Sequence, residues 1–395
     1  MNPVLALGLT QILGYGSLYY AFPILAPSAA AAFGRPEAHL YAVFSVGLLV
    51  GGLAAPQAGR LMDRLGAARL MAGGSVLAAL CLALIGIAPS FPVWAAGVTL
   101  TEIVAVAVLY DAAFAVLAQL RGAGARRAIT RLTLIAGFAS TVFWPLAATL
   151  DGAIGWRATY LVFAALHATV GLALHLWLAR QRPELAPAAA GPAIPEAPHL
   201  PPEWTARAFR AVALSFALSG ALISAFGVHM VPVLTAAGLG ERATLAAMLV
   251  GPAQVTIRLV DALLFARLHP LSVAAVSAMA LPLSVGGLVL GAPLWVAGVL
   301  FATLFGVGQG LASIVRGTVP LVLFGRTGYA ARLGRLAMLR TFAAAGAPFA
   351  FAALAAGLGQ IATLWLFAAL GLVAALPLLA LRARLGAEGH LAPLV

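Results

Sequence analysis

Long apolar runs with almost no charge inside them constrain this chain more than any other feature. Only 9% of its 395 residues are Asp, Glu, Lys or Arg, and 63% are hydrophobic; a soluble domain carries roughly a quarter charged residues. A helix needs about 20 apolar residues to cross a bilayer. Cutting the sequence at charges, Gly/Pro turns and loops leaves twelve such stretches: 4–30, 38–58, 70–88, 93–119, 129–150, 157–179, 208–235, 243–266, 271–290, 293–318, 334–357 and 361–381. The predicted fold class is all-α integral membrane, with twelve transmembrane helices seated in a lipid bilayer.

Every segment between the spans is short except 180–207, which contains Q-R-P-E-L-A-P-A-A-A-G-P-A-I-P-E-A-P-H-L-P-P. Such a Pro/Ala-rich stretch reads as a linker. It predicts an N-terminal six-helix bundle over 1–180, a linker over 181–207 and a C-terminal six-helix bundle over 208–395. The first span lacks a positive n-region and is too long for a signal-peptide core, so it counts as a helix. With the N-terminus inside, seventeen arginines fall on cytoplasmic segments, while the outer loops hold only Arg35, Arg157 and Arg242. That bias predicts both termini and the linker in the cytoplasm, in a multi-pass protein of the cell membrane, a bacterial inner membrane being expected.

The net charge of +12 is carried entirely by arginine, in short clusters between apolar runs. No basic soluble face and no interleaved aromatics accompany it, so nucleic acid is not an expected partner. The one cysteine, Cys81, excludes an intramolecular disulfide and a Cys-based metal site. No HExxH, GxSxG or Cys/His cluster points to an enzyme, and no P-loop points to ATP-driven pumping. Neither a catalytic group nor a cofactor or metal is expected. A receptor would want an appended soluble domain, and the longest non-membrane stretch is the linker.

Between the second and third spans, Gly59, Leu61, Asp63, Arg64, Gly66 and Arg69 form G-x-L-x-D-R-x-G-x-x-R. This resembles the signature loop of the major facilitator superfamily, in the position which that family requires. The G-W-R at 155–157 and H-M-V-P-V-L-T-A-A-G-L at 229–239 also look like that family, the second being nearest to its monocarboxylate and oxalate/formate branch. The resemblance covers the whole chain and implies a secondary transporter working by alternating access. Within the loop, Gly59 allows close helix approach and Gly66 a tight turn. Asp63 can accept from helix N-terminal amides or pair with an arginine. Gly59, Asp63, Arg64, Gly66 and Arg69 are thus candidates for a conformational latch, against the alternative that the arginines only anchor topology. The family's fifth-span antiporter pattern is poorly kept: G-F-A-S-T-V-F-W-P at 137–145 retains Gly137 and Pro145 but has Trp144 before the proline.

Ionisable groups at membrane depth cost a few kcal/mol each and default to functional candidates. Gln254, Arg258 and Asp261 are spaced i, i+4, i+7 on one helix face, as are Gln309, Ser313 and Arg316; Gln11, Tyr15 and Tyr19 follow i, i+4, i+8. Three such stripes point to a common aqueous cavity. Were Arg258 at a span's tip, the eighth span would run only over 243–257, about 22 Å against a core of roughly 30 Å. Ending the span at Arg267 puts Arg258 nine residues, about 13 Å, inside. The monocarboxylate and oxalate branch resembles this in carrying a functional arginine on its eighth span. The resemblance therefore implies carboxylate binding by Arg258; the alternative is simple neutralisation by Asp261. Arg340 stands where the oxalate branch has a cationic residue, and is either a second anion contact or a snorkelling side chain.

Glu102 and Asp111 lie nine residues apart in the fourth span, which places them on opposite faces of a straight helix. Glu102, near mid-depth, is the better proton-coupling candidate, with Asp261 and Asp111 behind it. Asp111 could instead pair with an arginine of 121–131. His229 is a candidate substrate contact or gate, or a hydrogen-bonded structural histidine. The expected function is transport of a small organic anion such as a carboxylate, with a proton as a coupling partner, by a monomer. The alternative is efflux of drug-like or toxic compounds.

Overall fold

The computed structural model describes residues 1–182, 200, 202–264 and 268–387. Most of the predicted linker falls on 183–199 and 201, outside the described residues, as does Arg267. Among the described residues the chain is helical and contains no strand. The physical cause is the solvent: hydrocarbon offers no partner to a backbone N–H or C=O, so each must be satisfied within its own segment.

The first unit, Met1–Pro192 with Arg326–Met338, begins with α1 (Pro3–Tyr15), a π-helical turn (Gly16–Tyr20) and α2 (Phe22–Phe33). α3 (Glu37–Leu65), α4 (Ala67–Gly86), α5 (Phe91–Val108) and α6 (Tyr110–Arg121) follow, then α7 (Ala125–Ala136), α8 (Ala139–Leu166), a π-turn (His167–Gly171) and α9 (Leu172–Ala179). The second unit, Ala193–Gly325 with Leu339–Val395, holds α10 (Pro202–Leu234), α11 (Ala243–Ala247), α12 (Val250–Leu263), α13 (Pro270–Gly291), α14 (Trp295–Phe324) and α16 (Gln360–Ala387). α15 (Tyr329–Leu358) starts in the first unit and continues in the second.

Helix starts follow the local chemistry. Asn2 accepts from the Val4 N–H at 3.0 Å with Pro3 at the first helical position, and His269 Nδ1 accepts from Leu271 N at 3.2 Å ahead of Pro270. Nine helices or helix runs among the described residues are long and apolar enough to cross a membrane. Two of these, Ala125–Ala179 with 55 residues and Trp204–Ala247 with 44, far exceed the roughly 20 that one crossing needs. Gly155, at φ 78°, breaks the first of them in a conformation glycine alone adopts cheaply. The stretch predicted as one span over 4–30 is α1, a π-turn and α2, and that over 243–266 is α11 and α12 with a break between them.

Each unit has its own aromatic core. In the first, Phe22 stacks on Phe44 at 4.2 Å, Phe33 and Phe91 pack on the fully buried Trp94, and Trp156 packs on Phe33. In the second, Phe226 has the rings of Phe301, Phe305, Phe351 and Phe367 within 5.5–6.1 Å.

Candidate functional site

In the second unit, α14 lies hard against α12 because Gly306 and Gly310 carry no side chains. A Cβ on Gly306 would stand 2.6 Å from the Val250 carbonyl oxygen, and one on Gly310 would stand 2.6 Å from Ile257 Cγ2. This spacing of small residues is how membrane helices bring their backbones together. It sets Gln309 beside Gln254, whose Nε2 donates to Gln309 Oε1 at 2.8 Å. The Arg258 guanidinium in turn donates to Gln254 Oε1 at 3.3 Å. Arg258 is only 8% exposed, and its Nε is buried without an acceptor. Three residues singled out from two separate sequence stripes thus form one hydrogen-bonded chain across two helices. Asp261, one turn on, is also buried.

Two other candidates sit where α10 meets α15. His229 Nε2 lies 3.0 Å from the Pro348 carbonyl, and its ring stacks on Phe351 at 4.9 Å. A carbonyl only accepts, so Nε2 carries the proton. Arg340 runs its stem through the space left by Gly220, where a Cβ would meet Arg340 Cγ at 2.6 Å. Arg316 is half-buried on α14.

In the first unit, the Gln11, Tyr15 and Tyr19 stripe separates. Gln11 is fully buried, Tyr15 half-buried and Tyr19 exposed. The π-turn at Gly16–Tyr20 shifts the register, since its bonds close five residues on rather than four. Gln11 serves the backbone. Leu109 is extended (φ −88°, ψ −165°), and the Ala112 N–H bonds to Leu109 O instead of Val108 O. The Val108 carbonyl takes its bond from Gln11 Nε2 at 2.8 Å instead. Tyr15 packs on Tyr110 at 4.6 Å, and Tyr20 sits edge-on to Trp144 at 6.0 Å.

The same break at Leu109 corrects the straight-helix geometry expected of Glu102 and Asp111: they stand on different helices, α5 and α6. Asp111 is in the first turn of α6, where the helix dipole favours a carboxylate. Glu102 is 5% exposed, and its stem fills the notch at Gly47 on α3, where a Cβ would stand 3.0 Å from Glu102 Cγ. His167 and His175 are tied to serines: Ser17 Oγ gives its proton to Leu13 O at 2.7 Å and so accepts from His167 Nε2 at 2.8 Å, while His175 Nδ1 lies 2.7 Å from Ser75 Oγ.

The signature loop takes the geometry its residues invite. Gly66 turns the chain between α3 and α4 at φ 90°. Asp63 accepts from the N–H groups of Ala330 at 3.2 Å and Ala331 at 2.9 Å, two of the first-turn amides of α15 that have no acceptor within the helix. Of the two partners expected for Asp63, helix amides or an arginine, the amides are the hydrogen-bonded ones. Close approach is mutual: a Cβ on Gly59 would collide with the Ala330 carbonyl, and one on Gly334 with the Ala55 carbonyl. Ala55/Gly59 and Ala330/Gly334 are therefore two interlocking small-residue pairs at i, i+4. Arg64 and Arg69 are exposed.

Sequence reasoning passed over Gln119 and Gly334. Gln119, on α6, clamps both ends of the loop: Oε1 accepts from Ala67 N at 2.9 Å, and Nε2 donates to Met62 O at 3.2 Å. It also lines a small cavity of about 90 Å3 beside Asp63, Arg326 and Tyr329. Gly334 had a signal, the repetition of the Ala-x-x-x-Gly spacing at 55–59 and 330–334; Gln119 had none.

Residues 7–290 match the family model described as Major Facilitator Superfamily. No curated protein matches the chain in sequence. Among solved structures, the chain is similar to the human organic anion transporter MFSD10 (TETRAN), with TM-score 0.71, 18% identity, and 95% of this chain and 98% of that one covered. It is also similar to FucP, a transporter solved in the outward conformation (TM-score 0.69, 15% identity, 97% and 99% covered), and to the proton:xylose symporter XylE bound to 6-bromo-6-deoxy-D-glucose (0.60, 14%, 94% and 94%). At these identities the likeness shows the fold, and the family match runs over more than half of the residues. The chain is a multi-pass membrane transporter belonging to the major facilitator superfamily.

Proposed function

We propose that this transporter is secondary active, works by alternating access, and carries a small organic anion whose carboxylate binds Arg258. The carrying observation is a buried guanidinium whose Nε has no acceptor and whose hydrogen bond goes to a neutral amide, Gln254. An arginine buried in a membrane protein without an anion costs several kcal/mol, and a planar carboxylate matches its fork. The setting past the arginine is apolar, since Leu259 and Leu263 on α12 and Leu264 just beyond its end are exposed. The resemblance to the monocarboxylate and oxalate/formate branch supports the same substrate class, as does the likeness to a transporter named for organic anions.

In this reading Gln254 and Gln309 orient Arg258, Arg340 is a second cationic contact, and His229 shapes the wall. Glu102 carries a coupled proton, with Asp261 and Asp111 in lesser roles. The chain crosses the membrane twelve times with both termini cytoplasmic, and Asp63 with the Gly59/Gly334 crossing forms the latch. The experiment is uptake of radiolabelled monocarboxylates into proteoliposomes by wild type and Arg258→Ala. Loss of uptake with the melting profile retained supports the reading, and full uptake by the variant ends it. A second reading, efflux of bulky aromatic compounds, is favoured by the Tyr15, Tyr20, Tyr110 and Trp144 ring cluster. The same vesicles loaded with aromatic cations discriminate the two.

A further inference from the structure

We infer that the first unit carries a binding site for an anionic phospholipid on its α4–α5 face. A cavity of about 450 Å3 opens there between the start of α4 and the end of α5, walled by Leu65, Leu77, Ile103 and Val104, with Gly73 in its floor and Arg69 at one end. Two adjacent glycines build it by opposite means. A Cβ on Gly74 would stand 2.7 Å from Val108 Cγ1, so this glycine draws α4 onto α5. A Cβ on Gly73 would meet nothing within 4 Å, so its missing side chain is the open space itself.

The occupant follows from the shape and the charge. From Arg69 to Leu77 the cavity runs eight residues, about 12 Å, along α4. It is cationic at one end and apolar along its length. Leu77 and Leu80 are 51% and 62% exposed on the same helix, an apolar surface that in a membrane protein meets acyl chains. Arg69 is exposed at the helix start, with Arg64 exposed five residues earlier across the loop. A free anion would satisfy the arginine and leave the apolar wall uncovered, and an uncharged hydrocarbon would do the reverse. A lipid with an acidic phosphodiester headgroup matches both, the phosphate on Arg69 and an acyl chain over Gly73. The site is independent of Arg258 and of the transported substrate.

The test is native mass spectrometry of the full-length protein in detergent, titrated with dioleoyl phosphatidylglycerol, dioleoyl phosphatidylcholine or inorganic phosphate. Wild type is expected to retain one phosphatidylglycerol more tightly than phosphatidylcholine, with inorganic phosphate failing to displace it. Gly73→Leu points a side chain into open space, and it is expected to abolish that retention while leaving the lipid-free melting temperature unchanged. Arg69→Gln is expected to lower the preference for the acidic lipid about fivefold, the size of one arginine beside an anionic headgroup. Three results each overturn the inference: equal retention of the two lipids by wild type, unchanged preference in Arg69→Gln, or displacement by phosphate alone. Should Gly73→Leu not fold, the Arg69→Gln comparison still decides.

Discussion

Removing the Asp63 side chain should loosen the first turn of α15 and little else. The Ala330 and Ala331 amides have no acceptor within their own helix, and Asp63 supplies one to each at 3.2 and 2.9 Å. A side-chain acceptor at a helix start is worth about 1 kcal/mol, and a negative charge there adds about 0.3–1 kcal/mol. Asp63 is exposed, so water weakens both contributions and the lower ends apply. Asp63→Ala should then cost about 1–1.4 kcal/mol locally, and Asp63→Asn, which keeps one of the two acceptor oxygens, puts an NH2 in place of the other and loses the charge, about 0.5–1 kcal/mol. With 1.4 kcal/mol equal to a factor of ten, the Ala330 and Ala331 amides should exchange with deuterium about five- to tenfold faster in the alanine variant and about two- to fivefold faster in the asparagine one. Hydrogen-exchange mass spectrometry on the full-length protein, following peptides over 329–334, reads this directly. Exchange at those amides equal to wild type in Asp63→Ala refutes the capping argument, whatever transport does. If the cap also serves as a latch, proteoliposome assays on Asp63→Asn will show a lower turnover rate with a smaller change in KM. An unchanged rate would reject the latch while sparing the cap.

Glu102→Gln is expected to abolish proton-driven accumulation while leaving counter-exchange of substrate intact; accumulation at the wild-type level would remove Glu102 from the coupling path. Gly306→Ala forces a methyl to within 2.6 Å of the Val250 carbonyl oxygen, a backbone atom that cannot rotate away. Overpacking of that kind costs about 1–3 kcal/mol, so thermal melts of the variant should shift down, and an unshifted melt would show that α12 and α14 are not held at that separation. Gln119→Leu deletes both bonds that clamp the loop, at about 0.5–1.5 kcal/mol each. It should speed exchange at Ala67 N–H, whereas protection equal to wild type would assign that amide a different partner.

The arginine of the eighth predicted span shows how the sequence and the fold divide the work. That Arg258 lies within an apolar run is legible in the chain, because charge is expensive there and the cost is local. Gln309, linked to it through Gln254, is fifty-one residues away on another helix and stands out in the sequence only as part of a separate polar stripe. What joins them is the glycine pair of α14, through backbone contacts that periodicity does not report. The Gln11 stripe separates for the converse reason. A π-turn inserted a register shift that an ideal helical spacing cannot anticipate, and a break at Leu109 created an orphan carbonyl that claimed the side chain.

Class, helical composition, candidate membrane spans and family all follow from the order of residues, because hydrocarbon acts on each segment separately and leaves a backbone no alternative to the helix. The Asp63 loop belongs there too, since its glycines and carboxylate imply a tight turn and an acceptor wherever they stand. Tertiary structure alone decided that the acceptor meets the first turn of α15, that Gln119 holds the loop at both ends, and that Glu102 and Asp111 belong to different helices. Those outcomes depend on which small residues oppose each other at helix crossings and where helices break, and both arise from packing between segments distant in sequence.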